Sequence, residues 1–242
     1  MFYFLISPIM SYNFILIAAA IVPAVFLMVR VYRSDRLEPE DRNLLWKLVQ
    51  AGILSTILAL VEERIGSAIL DKCVEQDTLL YNVILYFVIV AVAEESSKYL
   101  LLKRNTWKSP EFNCQYDGVV YAVFVSLGFA LWENINYVLM YGFSTAVVRA
   151  ITAIPGHACF GVFMGVFYGI AKRYDNLGKA GTSRLFRVFA LVFPMLLHGT
   201  YDFIATMEET TDGLYFLGFV TTMFVASYLL VGQTSKQDRY IQ

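Results

Sequence analysis

The chain has 242 residues, of which 58% are hydrophobic and 16% charged, with a net charge of -1. Soluble domains run at about 45–50% apolar and about 25% charged, so an ordinary globular protein is excluded and a polytopic membrane protein indicated. The near-zero charge gives no sign of a nucleic-acid partner, and Cys73, Cys114 and Cys159, odd in number and without CxxC spacing, give no disulfide framework or thiolate metal site.

The opening MFYFLISPIM lacks a basic n-region and runs into a longer apolar stretch, which predicts an uncleaved membrane helix rather than a signal peptide. A hydrocarbon core about 30 Å thick needs about 20 apolar residues of helix. Seven segments approach that length, at roughly 13–32, 43–61, 79–102, 118–140, 145–171, 184–206 and 213–232. The second is the least defined, because the mixed EERIGSAILDKCVEQD that follows it reads as an interfacial amphipathic segment. Loops 33–42, 103–117 and 172–187 and the tail after 232 hold 13 basic residues, against 3 in the alternate segments. Basic loops mark the cytoplasmic side, so the N-terminus is expected outside and the C-terminus in the cytoplasm. No repeat or long linker divides the chain, which reads as one all-α helical bundle over residues 1–242 in the lipid bilayer.

Charged side chains at membrane depth cost at least about 2.5–3.5 kcal/mol each, so those that persist face protein or water. In the third span AVAEESSKYL puts Glu94 and Lys98 four apart on one face, and Glu95 three from Lys98. One ion pair needs one carboxylate, so Lys98 is expected to hold one glutamate ionised and leave the other free. The fourth span aligns Phe129, Glu133 and Tyr137, with Asn134 and Asn136 beside them. In the fifth, Arg149, Ala153, His157, Gly161, Gly165 and Gly169 recur every fourth residue, a small-residue stripe that turns His157 toward another helix. The sixth sets His198 and Asp202 four apart, the spacing at which a carboxylate fixes an imidazole's tautomer. Pro155 and Pro194 stand close before the two histidines, where each frees backbone groups and can bend its helix.

Ser96 and Ser97 have no dedicated base in the sequence, so a carboxylate acting as general base on water, with a histidine stabilising the oxyanion or protonating the leaving amine, is the chemistry these residues offer. That is amide hydrolysis in a polar cavity between helices. At 1.5 Å per residue His157, His198 and Glu94 lie about 18, 12 and 22 Å from the outer ends of their spans, near enough to share one level.

Four ordered blocks, EESSK at 94–98, DGVVYAVFVSLGFALWENINY at 117–137, PGHACFGVFMG at 155–165 and HGTYDF at 198–203, resemble the motifs of the PrsW family of intramembrane proteases, and the acidic DRLEPED at 35–41 is similar to that family's first cytoplasmic loop. The resemblance implies a glutamate-dependent membrane protease, distantly related to the CAAX prenyl endopeptidases and to APH-1, with its catalytic helices at about 79–206. It implies Glu94 and Glu95 for water activation, His198 as the essential histidine, and His157 and Asp202 in support, with Lys98 where the CAAX enzymes carry a later arginine. Glu133 stands where those enzymes carry a water-activating histidine. A single-pass membrane protein, such as an anti-sigma factor, is the implied substrate, in a bacterial or archaeal cell membrane.

Two histidines and several carboxylates could also bind zinc, but HExxH is missing and the histidines are on separate helices, so no cofactor and no metal ligands are expected. A proton-coupled transporter uses the same residue types, although no inverted repeat is evident. The Gly161, Gly165 and Gly169 face also suits a scaffold that binds other membrane helices.

Overall fold

The computed structural model describes residues 8–206 and 210–241. Residues 1–7, which bear on the expected membrane N-terminus, and 207–209, in the last non-basic loop, lie outside the described residues. Seven helical stretches are long and apolar enough to cross a membrane, and no strand is formed among the described residues.

Helix α1 spans Pro8–Tyr32, and α2 spans Arg42–Cys73. The Asp41 carboxylate starts α2 by accepting the Leu44 N–H at 2.9 Å, a cap for one of the amides that a helix start leaves unpaired. The apolar run predicts a second span ending near 61, but the helix continues unbroken to Cys73, about three more turns. EERIGSAILDKC is therefore part of a long helix and not a separate interfacial segment.

The third span has three parts: α3 at Leu79–Val83, a π-helical segment at Ile84–Val90, and α4 at Ala91–Thr106. The π segment closes with the Ala91 N–H bonded to the Tyr86 carbonyl, and its wider turn resets the face that α4 presents four residues before Glu94.

Helix α5, Asp117–Tyr141, is the centre of the bundle; every residue from Asp117 to Ala130 is buried. It packs against α1, α2 and α7. Gly142, at φ 84°, ends it in a conformation that a side chain would strain. The fifth span then divides into α6, Phe143–Ile151, and α7, Ala153–Asn176. Pro155 has no N–H to give the Ile151 carbonyl, so the helix cannot run through and breaks at Thr152. The four-residue stripe continues across that break only in part, since Arg149 belongs to α6.

From Gly161 onward the stripe does what its spacing predicts. A Cβ on Gly165 would lie 2.4 Å from Val119 Cα, and one on Gly169 would lie 2.1 Å from the Gln115 carbonyl oxygen. Backbone therefore meets backbone between α7 and α5. Gly52 of α2 and Gly128 of α5 allow the same approach on the opposite side. Helices α8, Ala180–Ala205, and α9, Thr210–Lys236, complete the bundle.

The end that carries the basic loops is tied together by the C-terminal tail. Asn113 and Gln115 exchange backbone hydrogen bonds with Ile241 and Arg239, and the Ser235 hydroxyl donates to the Ser34 carbonyl.

Candidate active site

Every residue singled out in the sequence for chemistry reaches one connected cluster. Glu94, Glu95 and Lys98 come from α4, Glu133 from α5, His157 from α7, and His198 and Asp202 from α8. At its centre is the Lys98 ammonium, fully buried. It donates to Glu94 Oε2 at 3.0 Å and Glu95 Oε1 at 2.7 Å, and lies 3.2 Å from His157 Nδ1. The Phe129 ring covers its remaining side at 3.9 Å. The expectation that Lys98 would hold one glutamate and leave the other free is corrected: i,i+3 and i,i+4 spacing on one helix brings both carboxylates to the same ammonium.

These contacts fix the tautomer of one histidine. An ammonium has three hydrogens and no lone pair, so His157 Nδ1 must accept from it. Its Nε2 then carries the proton and donates to Glu133 Oε2 at 3.0 Å. Glu133 Oε2 also accepts from Arg149 Nη2 at 2.8 Å, while Arg149 Nε donates to Asn134 Oδ1 at 2.9 Å. Asn134 closes the chain by donating to the Ala20 carbonyl at 3.3 Å. Glu133 thus holds His157 in place, on the side of the imidazole away from the lysine.

His198 meets acceptors at both nitrogens. Nδ1 lies 2.9 Å from Glu95 Oε1, and Nε2 lies 3.3 Å from Asp202 Oδ2 and 3.8 Å from Glu94 Oε2. Phe160 stacks on its ring with centroids 4.7 Å apart, and the two imidazoles stand edge to face at 5.4 Å.

The adjacent glutamates differ in access. Glu95 is sealed, with 0% exposure, and its Oε2 has no hydrogen-bond donor. Glu94 lines a cavity of about 740 Å³ that also touches Glu63, Glu133, Arg149, His157, His198 and Asp202. The cavity extends to Tyr141 and Thr206, at the end of the bundle away from the basic loops.

Two members escaped the sequence reading. Glu63 lies beyond the apolar run of the second span, and it lines the cavity because α2 continues. Arg149 stands in the sequence only as part of a stripe, and its pairing with Glu133 across sixteen residues has no local sequence signal.

A family model described as PrsW family intramembrane metalloprotease matches residues 40–230. A protein named Protease PrsW from Oceanobacillus iheyensis is 34% identical over 190 residues, covering 78% of this chain and 82% of that protein. Proteins of the same name from Halalkalibacterium halodurans and Bacillus subtilis are 33% and 32% identical, covering 93% and 80% of this chain and 100% and 84% of their own lengths. No solved structure matches the chain. With four helices delivering the motif residues to one buried cluster and relatives that align over most of its length, the chain belongs to the PrsW family of intramembrane proteases.

Proposed function

We propose that this membrane protease is of the glutamic type and hydrolyses a peptide bond of a single-pass, membrane-anchored protein at the cavity wall, with Glu94 as general base. The observation that carries this reading is the unequal placement of the two glutamates: Glu94 borders the cavity and Glu95 is sealed behind it. His198 Nε2, at 3.8 Å, is too far from Glu94 Oε2 for a direct hydrogen bond, which leaves room for an intervening oxygen atom to which Nε2–H can turn from Asp202 Oδ2, its nearer acceptor at 3.3 Å.

In this reading Glu94 takes a proton from water as the water oxygen bonds to the scissile carbonyl carbon, and the carbonyl electron pair becomes an oxyanion. His198 Nε2–H donates to that oxyanion. Since Nδ1–H is committed to Glu95, the ring carries both protons when it does so, with Glu95 and Asp202 as counter-charges. Collapse of the intermediate breaks the C–N bond, and Glu94 delivers its proton to the leaving nitrogen. Glu95, Lys98, His157 and Glu133 are positioning residues.

The family description implies a metal. Glu94, Glu95 and His157 have suitable donor chemistry, with ligand atoms within 4.8 Å of one another. Glu94 Oε2, Glu95 Oε1 and His157 Nδ1 converge on Lys98 Nζ and receive its three hydrogens, so a metal held by these three atoms would have to expel a buried ammonium. As arranged, these residues do not fit one.

The basic end of the bundle is read as cytoplasmic, which puts the cavity mouth on the other side of the membrane and the cut near that boundary. An anti-sigma factor with one membrane helix is a substrate of this class. The test is cleavage of a tagged single-pass substrate by reconstituted enzyme. Glu94→Gln is expected to lower the rate by about 10²–10⁴-fold while the protein accumulates normally, and wild-type cleavage is expected to persist in chelator. Undiminished cleavage by Glu94→Gln would overturn its role, and loss of activity on chelation that zinc restores would overturn the metal-free mechanism.

A further inference from the structure

A second acidic cluster, remote from the cavity, is formed at the basic end of the bundle. The acidic loop between α1 and α2 folds over the start of α5, so that Asp35, Glu40 and Asp117 each bring a carboxylate oxygen within 4.8 Å of the others. One oxygen of each is occupied. Asp117 Oδ2 accepts the N–H groups of Asn113 and Cys114 at 3.0 and 2.7 Å, Glu40 Oε2 accepts the Tyr121 hydroxyl, and Asp35 Oδ1 accepts the Leu37 N–H at 3.3 Å.

The other oxygens, Asp35 Oδ2, Glu40 Oε1 and Asp117 Oδ1, are buried without any donor, as is Oδ1 of the neighbouring Asn113. Glu40 and Asp117 are themselves 5% and 0% exposed. A buried carboxylate oxygen without a partner costs several kcal/mol unless a cation or a donor meets it. Among the described residues no lysine, arginine or histidine forms an ion pair with any of the three; every such pair lies in the membrane-embedded cluster. Three buried carboxylates held this close need added positive charge to ionise together.

We propose that Asp35, Glu40 and Asp117 bind a hard divalent cation, Ca²⁺ or Mg²⁺. An all-oxygen, carboxylate-rich donor set is what such ions select, and it lacks the nitrogen and sulfur that favour zinc. The ion would clamp the α1–α2 loop to the start of α5. Through Tyr116, whose N–H donates to Asp238 Oδ1 at 2.8 Å, the same clamp reaches the C-terminal tail. The competing state is a single proton shared between Glu40 and Asp117, which would satisfy two of the orphaned oxygens without an ion.

Terbium luminescence separates the two, because Tyr121 is hydrogen-bonded to Glu40 and can sensitise an ion held there. With the full chain in detergent, Tb³⁺ emission excited through tyrosine is expected to saturate at one ion per chain and to be displaced by Ca²⁺ or Mg²⁺ but not by K⁺. Glu40→Gln and Asp117→Asn should each weaken binding by about tenfold or more, whereas Glu94→Gln should leave it unchanged. For the unaltered protein, millimolar Ca²⁺ or Mg²⁺ should raise the thermal midpoint above that in EDTA. Emission that does not saturate, equal binding by Glu40→Gln and wild type, or a midpoint indifferent to both ions would overturn the site in favour of the shared proton.

Discussion

Lys98 makes the cluster possible. Two adjacent carboxylates in a buried helix repel each other and lose their hydration, and the ammonium offsets both losses by bonding to each, with a lone pair of His157 taking its third hydrogen. Replacing it by a residue of similar shape without charge, Lys98→Met, removes the cation shared by Glu94 and Glu95 and leaves His198 as the one donor to Glu95. Unfolding in detergent should then be easier by about 3–5 kcal/mol, seen as a lower thermal midpoint; a midpoint unchanged from wild type would rule out this role. The pairings within α4 were legible in AVAEESSKYL, because three- and four-residue spacing is a local property of a helix. His157 to Glu133 and His198 to Glu95 were not, since the partners are 24 and 103 residues apart. Sequence showed that these groups must face protein, and only the packing of α5, α7 and α8 shows which group each one meets.

At the level of elements, the small-residue stripe is the feature read most directly. Its prediction is quantitative: Gly165→Ala forces a methyl to within 2.5 Å of the Gly118 carbonyl, with backbone on the receiving side that cannot swing away. A loss of about 1–3 kcal/mol is expected by thermal unfolding, whereas Gly218→Ala in α9, where an added Cβ meets nothing within 4 Å, should be neutral or slightly stabilising. Equal behaviour of the two variants would show that the close approach of α5 and α7 carries no energetic weight. The π segment had no warning in ILYFVIV, a uniformly apolar run that suits either winding. The polar stretch after residue 61 misled for a physical reason. Glu63 faces a cavity inside the bundle, and polarity directed into a cavity looks the same in sequence as polarity directed at a membrane surface.

For the whole molecule, seven spans were legible from length and apolar content alone, and the described helices bear them out. Their direction rests on the placement of basic residues, and the cysteines give a means to measure it. Cys73 is exposed at the end of α2 away from the basic loops, while Cys114 and Cys159 are buried. A membrane-impermeant maleimide added outside intact cells should therefore label Cys73, and Cys73→Ser should abolish labelling. Labelling of Cys73 only after the cells are opened would reverse the orientation and put the cavity mouth on the cytoplasmic side.

The backbone contact between α5 and α7 also divides the protein mechanically. Where carbonyls and α-carbons meet with no side chain between them, sliding or tilting requires a collision, so these two helices form a stator that carries Glu133 and His157 as a fixed wall. The contact of α8 with the π segment is joined differently: Gly199 of α8 packs chiefly on the Phe87 ring, a side chain that can change rotamer. Side-chain-mediated packing is thus concentrated on the side that holds His198 and the π segment, where a shift of one helix needs a change of rotamer rather than a backbone collision.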